Sequence, residues 1–265
     1  MDLRAGNTGD QMLRMGNVVG RFLDFLLPPR CTACGVRVEG HGLYCADCWA
    51  GFDPIGTPAC VRCGFPFPVD VAAGEDTLCM TCLARPPHYD WACAGAVYGG
   101  MVRGQILRLK YGRGQGGVAL ARLMAMALRP KLSSVTYPVR LVPVPLHYRR
   151  LRMRRFNQAH ILARHLGHLT GVEVTPHLLM RRRSTPSQGQ FGRKGRLRNV
   201  RGAFGVRPGA LSHGLSGQCV ILVDDVYTTG ATVGECARVL RRSGAAQIGV
   251  VTAARVVEAA GVEGR

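Results

Sequence analysis

Apolar positions along this chain fall into two rhythms. Between Gln11 and Leu27 they recur at Met12, Met15, Val19, Phe22, Leu23 and Leu26, the spacing of an amphipathic helix, until Pro28 and Pro29 stop it. From Ala94 onward, short apolar runs alternate with helical patterns. Strands are expected over Ala94–Tyr98, Arg140–Pro145, Val172–Thr175, Gln218–Val223 and Gln247–Ala253. Helices are expected over Met101–Leu109, Gly117–Leu128, Asn157–Leu169 and Gly230–Arg242. Such alternation predicts an α/β fold in which helices cover both faces of a parallel sheet and ligands gather at the carboxyl ends of the strands. The polar, Gly-containing stretch Arg181–Gly202 reads as a flexible loop.

Composition adds three constraints. At 265 residues the chain has room for one medium domain and a small one. No apolar run is long enough to span a bilayer, and Asp2, Arg4 and Asp10 do not fit a secretory leader, so a cytoplasmic protein is expected. The net charge is +19, and between Met101 and Gly205 there are 22 Lys or Arg against one acid, Glu173. A basic field of this kind attracts polyanions, although a solvated basic face kept for solubility has the same composition.

The eleven cysteines change the picture near the N-terminus. Eight of them form four Cys-x-x-Cys pairs: Cys31/Cys34, Cys45/Cys48, Cys60/Cys63 and Cys79/Cys82. This spacing turns two thiolates toward one metal, so four pairs supply two tetrahedral all-cysteine zinc sites. Gly35 and Gly64 follow the first and third pairs, where a knuckle needs a residue tolerant of positive φ. The segment reads as an internal repeat of two ribbons, Cys31–Cys48 and Cys60–Cys82. Its main competitor is a cross-braced pairing of first with third and second with fourth. With every position filled by protein, both ions would be structural.

The run Val220-Ile221-Leu222-Val223-Asp224-Asp225-Val226-Tyr227-Thr228-Thr229-Gly230-Ala231-Thr232 carries the chemistry. It is an apolar strand, two carboxylates, a Thr/Gly loop and then a helical pattern. Backbone N–H groups of a tight loop before a helix N-terminus form an anion site, and the threonines add donors. The run resembles the signature of the type I phosphoribosyltransferases, which bind 5-phosphoribosyl 1-pyrophosphate (PRPP) with Mg²⁺. That resemblance gives Asp224 and Asp225 the ribose hydroxyls, and Thr228, Thr229, Gly230, Ala231 and Thr232 the 5-phosphate.

Further motifs narrow the likeness. Leu109-Lys110-Tyr111, the Val-Pro-Val-Pro-Leu-His turn at 142–147, Phe156-Asn157-Gln158, Thr185–Gln188 and Arg196–Asn199 followed by Gly202-Ala203-Phe204 stand in order after the cysteine module. The chain is similar to the ComF/GntX family, which is associated with DNA uptake and competence. Periodicity and cysteine spacing give an N-terminal amphipathic helix over 1–29 and a double zinc ribbon over 30–90, and the resemblance implies a type I phosphoribosyltransferase-like domain over 91–265. It also implies a pyrophosphate loop at Pro145, Leu146 and His147 with Lys110 nearby, and a flap carrying Gln188, Arg196 and Asn199. Zinc, Mg²⁺ with PRPP, single-stranded DNA and other competence proteins are the ligands and partners it suggests. Lys110 is also a plain helix-terminal cation, His147 a plain turn cap and Asn157 a plain helix N-cap, and of the arginines between Arg149 and Arg155 one or two are expected to face the site while the others lie in solvent. Where the family carries Gly in Arg-Gly-Phe-Asn-Gln this chain has Arg155, which puts a positive-φ turn there in doubt.

Overall fold

A computed structural model of the chain describes residues 27–68, 74, 76–112, 116–183, 193–210 and 214–257, without the side chains of 193, 194, 196 and 197. The helix expected over Gln11–Leu27 lies outside these residues except for Leu27. The described chain falls into two compact units that divide between Ala50 and Gly51. The first carries cysteines 31–48 and a short helix α1 (Ala46–Ala50).

The second unit is built in the order α2 (Met80–Ala84), β1 (Trp91–Val97), α3 (Gly100–Tyr111), α4 (Gly117–Leu132), β2 (Val139–Pro143), α5 (Tyr148–Arg154), α6 (Gln158–Thr170), β3 (Glu173–Val174), β4 (Leu179–Arg181), α7 (Arg193–Val200), β5 (Phe204–Val206), β6 (Cys219–Tyr227), α8 (Ala231–Arg242) and β7 (Gln247–Arg255). Five strands form a sheet in the order β1-β7-β6-β2-β3, and every neighbouring pair is parallel. The two central strands are apolar on both sides, as a sheet covered on both faces requires. Ile221, Leu222, Val223, Val250 and Val251 are all fully buried.

Because side chains alternate across a strand, the two faces can be assigned. Val220, Leu222, Ile248 and Val250 join one core with Cys236, Ala237 and Leu240 of α8, Leu179 and Phe204 of the antiparallel β4–β5 pair, and Cys60, Cys63 and Cys82 of the second cysteine group. Helices α4 and α6 pack together against the sheet, α4 over β1 and β7, α6 over β2 and β6. Among the described residues no helix is long and apolar enough to cross a membrane.

Two expectations are corrected. Arg181–Gly202 is not simply a loop, since Arg181 ends β4 and residues 193–200 form α7, which contacts α8 and buries Val200. Its sequence RKGRLRNV has no apolar stripe, so nothing periodic announces it. The doubt over Arg155 is removed the other way: it takes φ 66° and caps α5, its N–H donating to Leu151 O at 2.7 Å. The left-handed turn persists with Arg in the Gly position, at a conformational cost of roughly 1 kcal/mol.

Candidate functional site

Strand β2 leads outward to β3 at one edge, whereas β6 leads the other way to β7. The loops after β2 and β6 therefore diverge at the point where ligands collect in sheets of this kind. A cavity of about 340 Å³ opens there. It is lined by Lys110 and Tyr111 from α3, Pro145 and Leu146, Arg150 and Arg154 from α5, Asp224 and Asp225, and Thr228, Gly230, Ala231 and Thr232.

The two acids sit within the last turns of β6. Asp225 N donates to Asp224 Oδ1 at 2.9 Å, and Val226 N donates to Asp225 Oδ1 at 3.0 Å. Lys110 Nζ lies 2.7 Å from Asp225 Oδ2. Burial first, and then the neighbouring Asp225 carboxylate, holds Asp224 well above the usual carboxylate range. A group in that position favours a cation or a hydroxyl donor as its neighbour. After the acids, Gly230 takes φ 73° as the residue before α8, and Thr229 Oγ1 accepts from Ala231 N at 3.4 Å.

The loop after β2 is anchored from two sides. Asn157 caps α6 by accepting from Ala159 N at 3.0 Å and donates through Nδ2 to Val144 O at 3.0 Å, so one side chain ties the helix start to the strand end. His147 caps α5, its Nδ1 accepting from Arg149 N at 3.3 Å. Burial, followed by the positive Arg181, Arg149 and Arg150, pushes its imidazole below its ordinary value, in keeping with that acceptor role. His147 holds the turn behind Pro145 and Leu146, and it is not part of the cavity lining.

Arg150, Arg154 and Arg181 line the cavity; sequence reasoning expects one or two of the arginines between Arg149 and Arg155 there without choosing among them, and it misses Arg181. Arg150 and Arg154 are four apart on α5 and share its cavity face, while Arg149, Arg152 and Arg155 are exposed. Their spacing is informative only once α5 is known to be a helix. Arg154 also lies 5.4 Å over the Tyr111 ring, and Arg181 lies 5.1 Å over Phe204. Of the expected flap residues, Gln188 is outside the described residues. Arg196 is on α7, and Asn199, also on α7, accepts through its backbone oxygen from Arg183 at 3.4 Å, outside the cavity lining.

The cysteines gather as two sequential tetrads, Cys31/Cys34/Cys45/Cys48 and Cys60/Cys63/Cys79/Cys82, with all ligand atoms in each within 4.8 Å of one another. The cross-braced pairing is excluded. Tetrahedral zinc with Zn–S bonds of about 2.3 Å places sulfurs about 3.8 Å apart. Cys34 and Cys45 Sγ are 3.7 Å apart, and Cys63 and Cys79 Sγ 3.6 Å, so both donor sets fit that ion. Burial pushes the first thiol of each set up, but backbone N–H groups outweigh it. They bring Cys31 down to about 6, through Cys34, Cys45 and Ala33, and Cys60 to about 7, through Cys79, Cys63 and Arg62.

Comparisons with known proteins agree with this geometry. Residues 22–83 match the family described as the double zinc ribbon domain, and residues 157–262 match the phosphoribosyl transferase domain. The second match spans the acids and the loop after them but begins beyond Lys110 and Pro145. The chain is 33% identical over 229 residues to DNA utilization protein YhgH of Salmonella typhi, covering 84% of this chain and 96% of that protein. It is 31% identical over 228 residues to the protein of the same name in Escherichia coli strain K12, with the same coverage. Competence protein F of Haemophilus influenzae is 28% identical over 232 residues, covering 85% and 96%.

Proposed function

We propose, since this chain belongs to the family of DNA utilization protein YhgH and Competence protein F, that it binds PRPP with Mg²⁺ and transfers phosphoribose to an acceptor in the service of DNA uptake or use. The observation that carries the reading is one cavity lined by Asp224 and Asp225, by Lys110, whose Nζ meets Asp225 at 2.7 Å, and by Thr228, Gly230, Ala231 and Thr232 of the loop. Asp224 and Asp225 take the ribose hydroxyls. Thr228, Thr229, Gly230, Ala231 and Thr232 present N–H and hydroxyl donors to the 5-phosphate at the start of α8. Lys110 and the turn at Pro145 and Leu146, held from behind by His147 and flanked by Arg150 and Arg154, take the pyrophosphate.

Transfer breaks the bond between the anomeric carbon and pyrophosphate and forms one to the acceptor. The developing positive charge on the ribose and the negative charge on the leaving group call for partners of opposite sign within one cavity. Asp224 and Asp225 supply the first, and Lys110, Arg150 and Arg154 the second. Mg²⁺ would neutralise pyrophosphate oxygens beside the carboxylates. Without ligand, Lys110 and Asp225 satisfy each other, and substrate binding separates the pair so that each meets its own group.

Calorimetry with PRPP and Mg²⁺ tests this. Binding in roughly the micromolar range is expected, weakened at least about 30-fold by Asp225→Ala, a loss of about 2 kcal/mol. Asp224→Asn weakens binding too but stabilises the fold. A carboxyl whose folded pKa is raised favours folding below its unfolded pKa and loses that contribution as pH rises through the folded value, so the gain in Tm grows from pH 4 to pH 8. Absence of PRPP binding by the wild-type chain would sink the reading. Pyrophosphate release with a panel of bases and single-stranded DNA identifies the acceptor.

A second reading rests on α5, which exposes Arg149, Arg152 and Arg155 beside Tyr148, Leu151 and Met153. In it the protein is a non-catalytic competence factor that binds single-stranded DNA or partner proteins, with PRPP as regulator. Salt-sensitive DNA binding that is lost on reversing these arginines, and kept in Asp225→Ala, would favour it.

A further inference from the structure

One buried cation lies outside the cavity just described. Arg255 ends β7 and is 7% exposed. Its Nη1 donates to Cys63 O at 2.6 Å and its Nη2 to Cys63 Sγ at 3.4 Å. The guanidinium carbon stands 4.2 Å from the centroid of the Tyr227 ring and 5.5 Å from that of Phe65. A buried guanidinium is costly unless an anion or a ring face answers it.

Tyr227 in turn sits under the loop. Its hydroxyl is 2.6 Å from that of Tyr89, and both are buried. A Cβ added at Gly230 would collide with the Tyr227 hydroxyl and lie 2.8 Å from its Cζ, so ring and glycine backbone are in direct apposition. Val256 N donates to Tyr227 O at 2.8 Å, which registers the end of β6 against the chain after Arg255. The contacts therefore run without a gap from Cys63 through Arg255 and Tyr227 to Gly230.

We infer that Arg255 is a positioning residue through which the second cysteine tetrad sets the conformation of the 228–232 loop, so that ligand binding there depends on metal in that tetrad. Four thiolates on one zinc ion carry a net charge of about −2, which supplies the anion that Arg255 needs beside Cys63. With that charge in place the guanidinium stays flat on Tyr227, and Tyr227 stays against Gly230. Loss of the metal leaves Arg255 buried without its counter-charge and frees the ring. The first tetrad belongs to the other compact unit. The inference rests on reading the loop as the phosphate site, but its main test does not.

Hydrogen exchange read by mass spectrometry follows the loop peptide, residues 227–233, and the sheet peptides 219–223 and 248–252 in the zinc-loaded full chain. In Arg255→Ala the loop peptide is expected to exchange about ten-fold faster while the sheet peptides hold, and PRPP with Mg²⁺ binds about ten-fold more weakly. Unchanged loop exchange, or faster exchange spread evenly over sheet and loop, would overturn the inference. Should Arg255→Ala not fold, the decision passes to the Cys34→Ser/Cys48→Ser chain, which keeps zinc in the second tetrad alone. There, removing zinc with a chelator should speed exchange of the loop peptide ahead of the sheet peptides 219–223 and 248–252, and restoring zinc should protect it again, with zinc content measured in parallel. A loop indifferent to that cycle, or one that exchanges only together with the sheet, refutes the coupling. If the wild-type chain binds no PRPP, the functional reading fails, yet the exchange data still decide the role of Arg255.

Discussion

The two zinc ribbons match each other almost bond for bond and differ in what surrounds them. In the first, Gly35 N donates to Cys31 O at 2.9 Å, Cys31 N to Val36 O at 2.7 Å and Cys45 N to Cys31 Sγ at 3.3 Å. In the second, Gly64 N donates to Cys60 O at 2.8 Å, Cys60 N to Phe65 O at 2.8 Å and Cys79 N to Cys60 Sγ at 3.3 Å. Even the flanking bridges correspond, Arg30 with Arg37 and Ala59 with Pro66. Yet Cys34 is exposed, whereas its counterpart Cys63 is buried in the core of the α/β unit. A Cβ at Gly35 would meet open space, while one at Gly64 would stand 2.6 Å from the carbonyl oxygen of Ala92 in β1. In the second ribbon the same local code also serves as a piece of the sheet's covering layer.

The largest effect should come from removing one metal at a time. Cys60→Ser with Cys82→Ser should cost on the order of 5 kcal/mol in the α/β unit. Cys34→Ser with Cys48→Ser should leave the melting of that unit within about 0.5 kcal/mol of wild type. Zinc content per chain falls by one ion in both. Thermal unfolding followed at Trp91, 6% exposed in β1, separates the outcomes, and equal destabilisation by the two pairs would erase the distinction.

A middle-sized effect comes from the knuckle glycines, both at positive φ, 81° for Gly35 and 68° for Gly64. Gly35→Ala should cost roughly 1 kcal/mol for the left-handed backbone, and Gly64→Ala roughly 3 kcal/mol once the clash with Ala92 is added. Urea midpoints of single-tryptophan versions, Trp49 for the first unit and Trp91 for the second, measure each separately. The smallest change is Tyr89→Phe, which leaves the buried Tyr227 hydroxyl without its 2.6 Å partner and should cost about 1 kcal/mol. A negligible cost in urea unfolding would mean that the second ribbon reaches the loop through Arg255 alone.

Much of this was legible in the chain itself. The run expected at 218–223 falls on β6, which starts one residue later at Cys219, and that at 247–253 lies within β7, while Asp224, Asp225, Thr228 and Gly230 line the cavity beside them. Asn157 was readable as a helix cap, but its second bond, to Val144 O, was not. Helix α7 was hidden because a basic octapeptide with no apolar face looks like loop. Arg150 and Arg154 were hidden among five arginines because only the helical phase of α5 separates those facing the cavity from those facing solvent.

The sequence by itself determined the cysteine pairs and the Thr/Gly loop, since both depend on residues two to five positions apart, where backbone geometry leaves few alternatives. Tertiary structure alone decided which cysteine pairs gather into one tetrad, that Cys60, Cys63 and Cys82 enter the core under the sheet, and which arginines line the cavity. The contact of Arg255 with Cys63 joins residues 192 positions apart. A separation of that size carries no periodicity or spacing rule, so only the packed sheet could bring the two together.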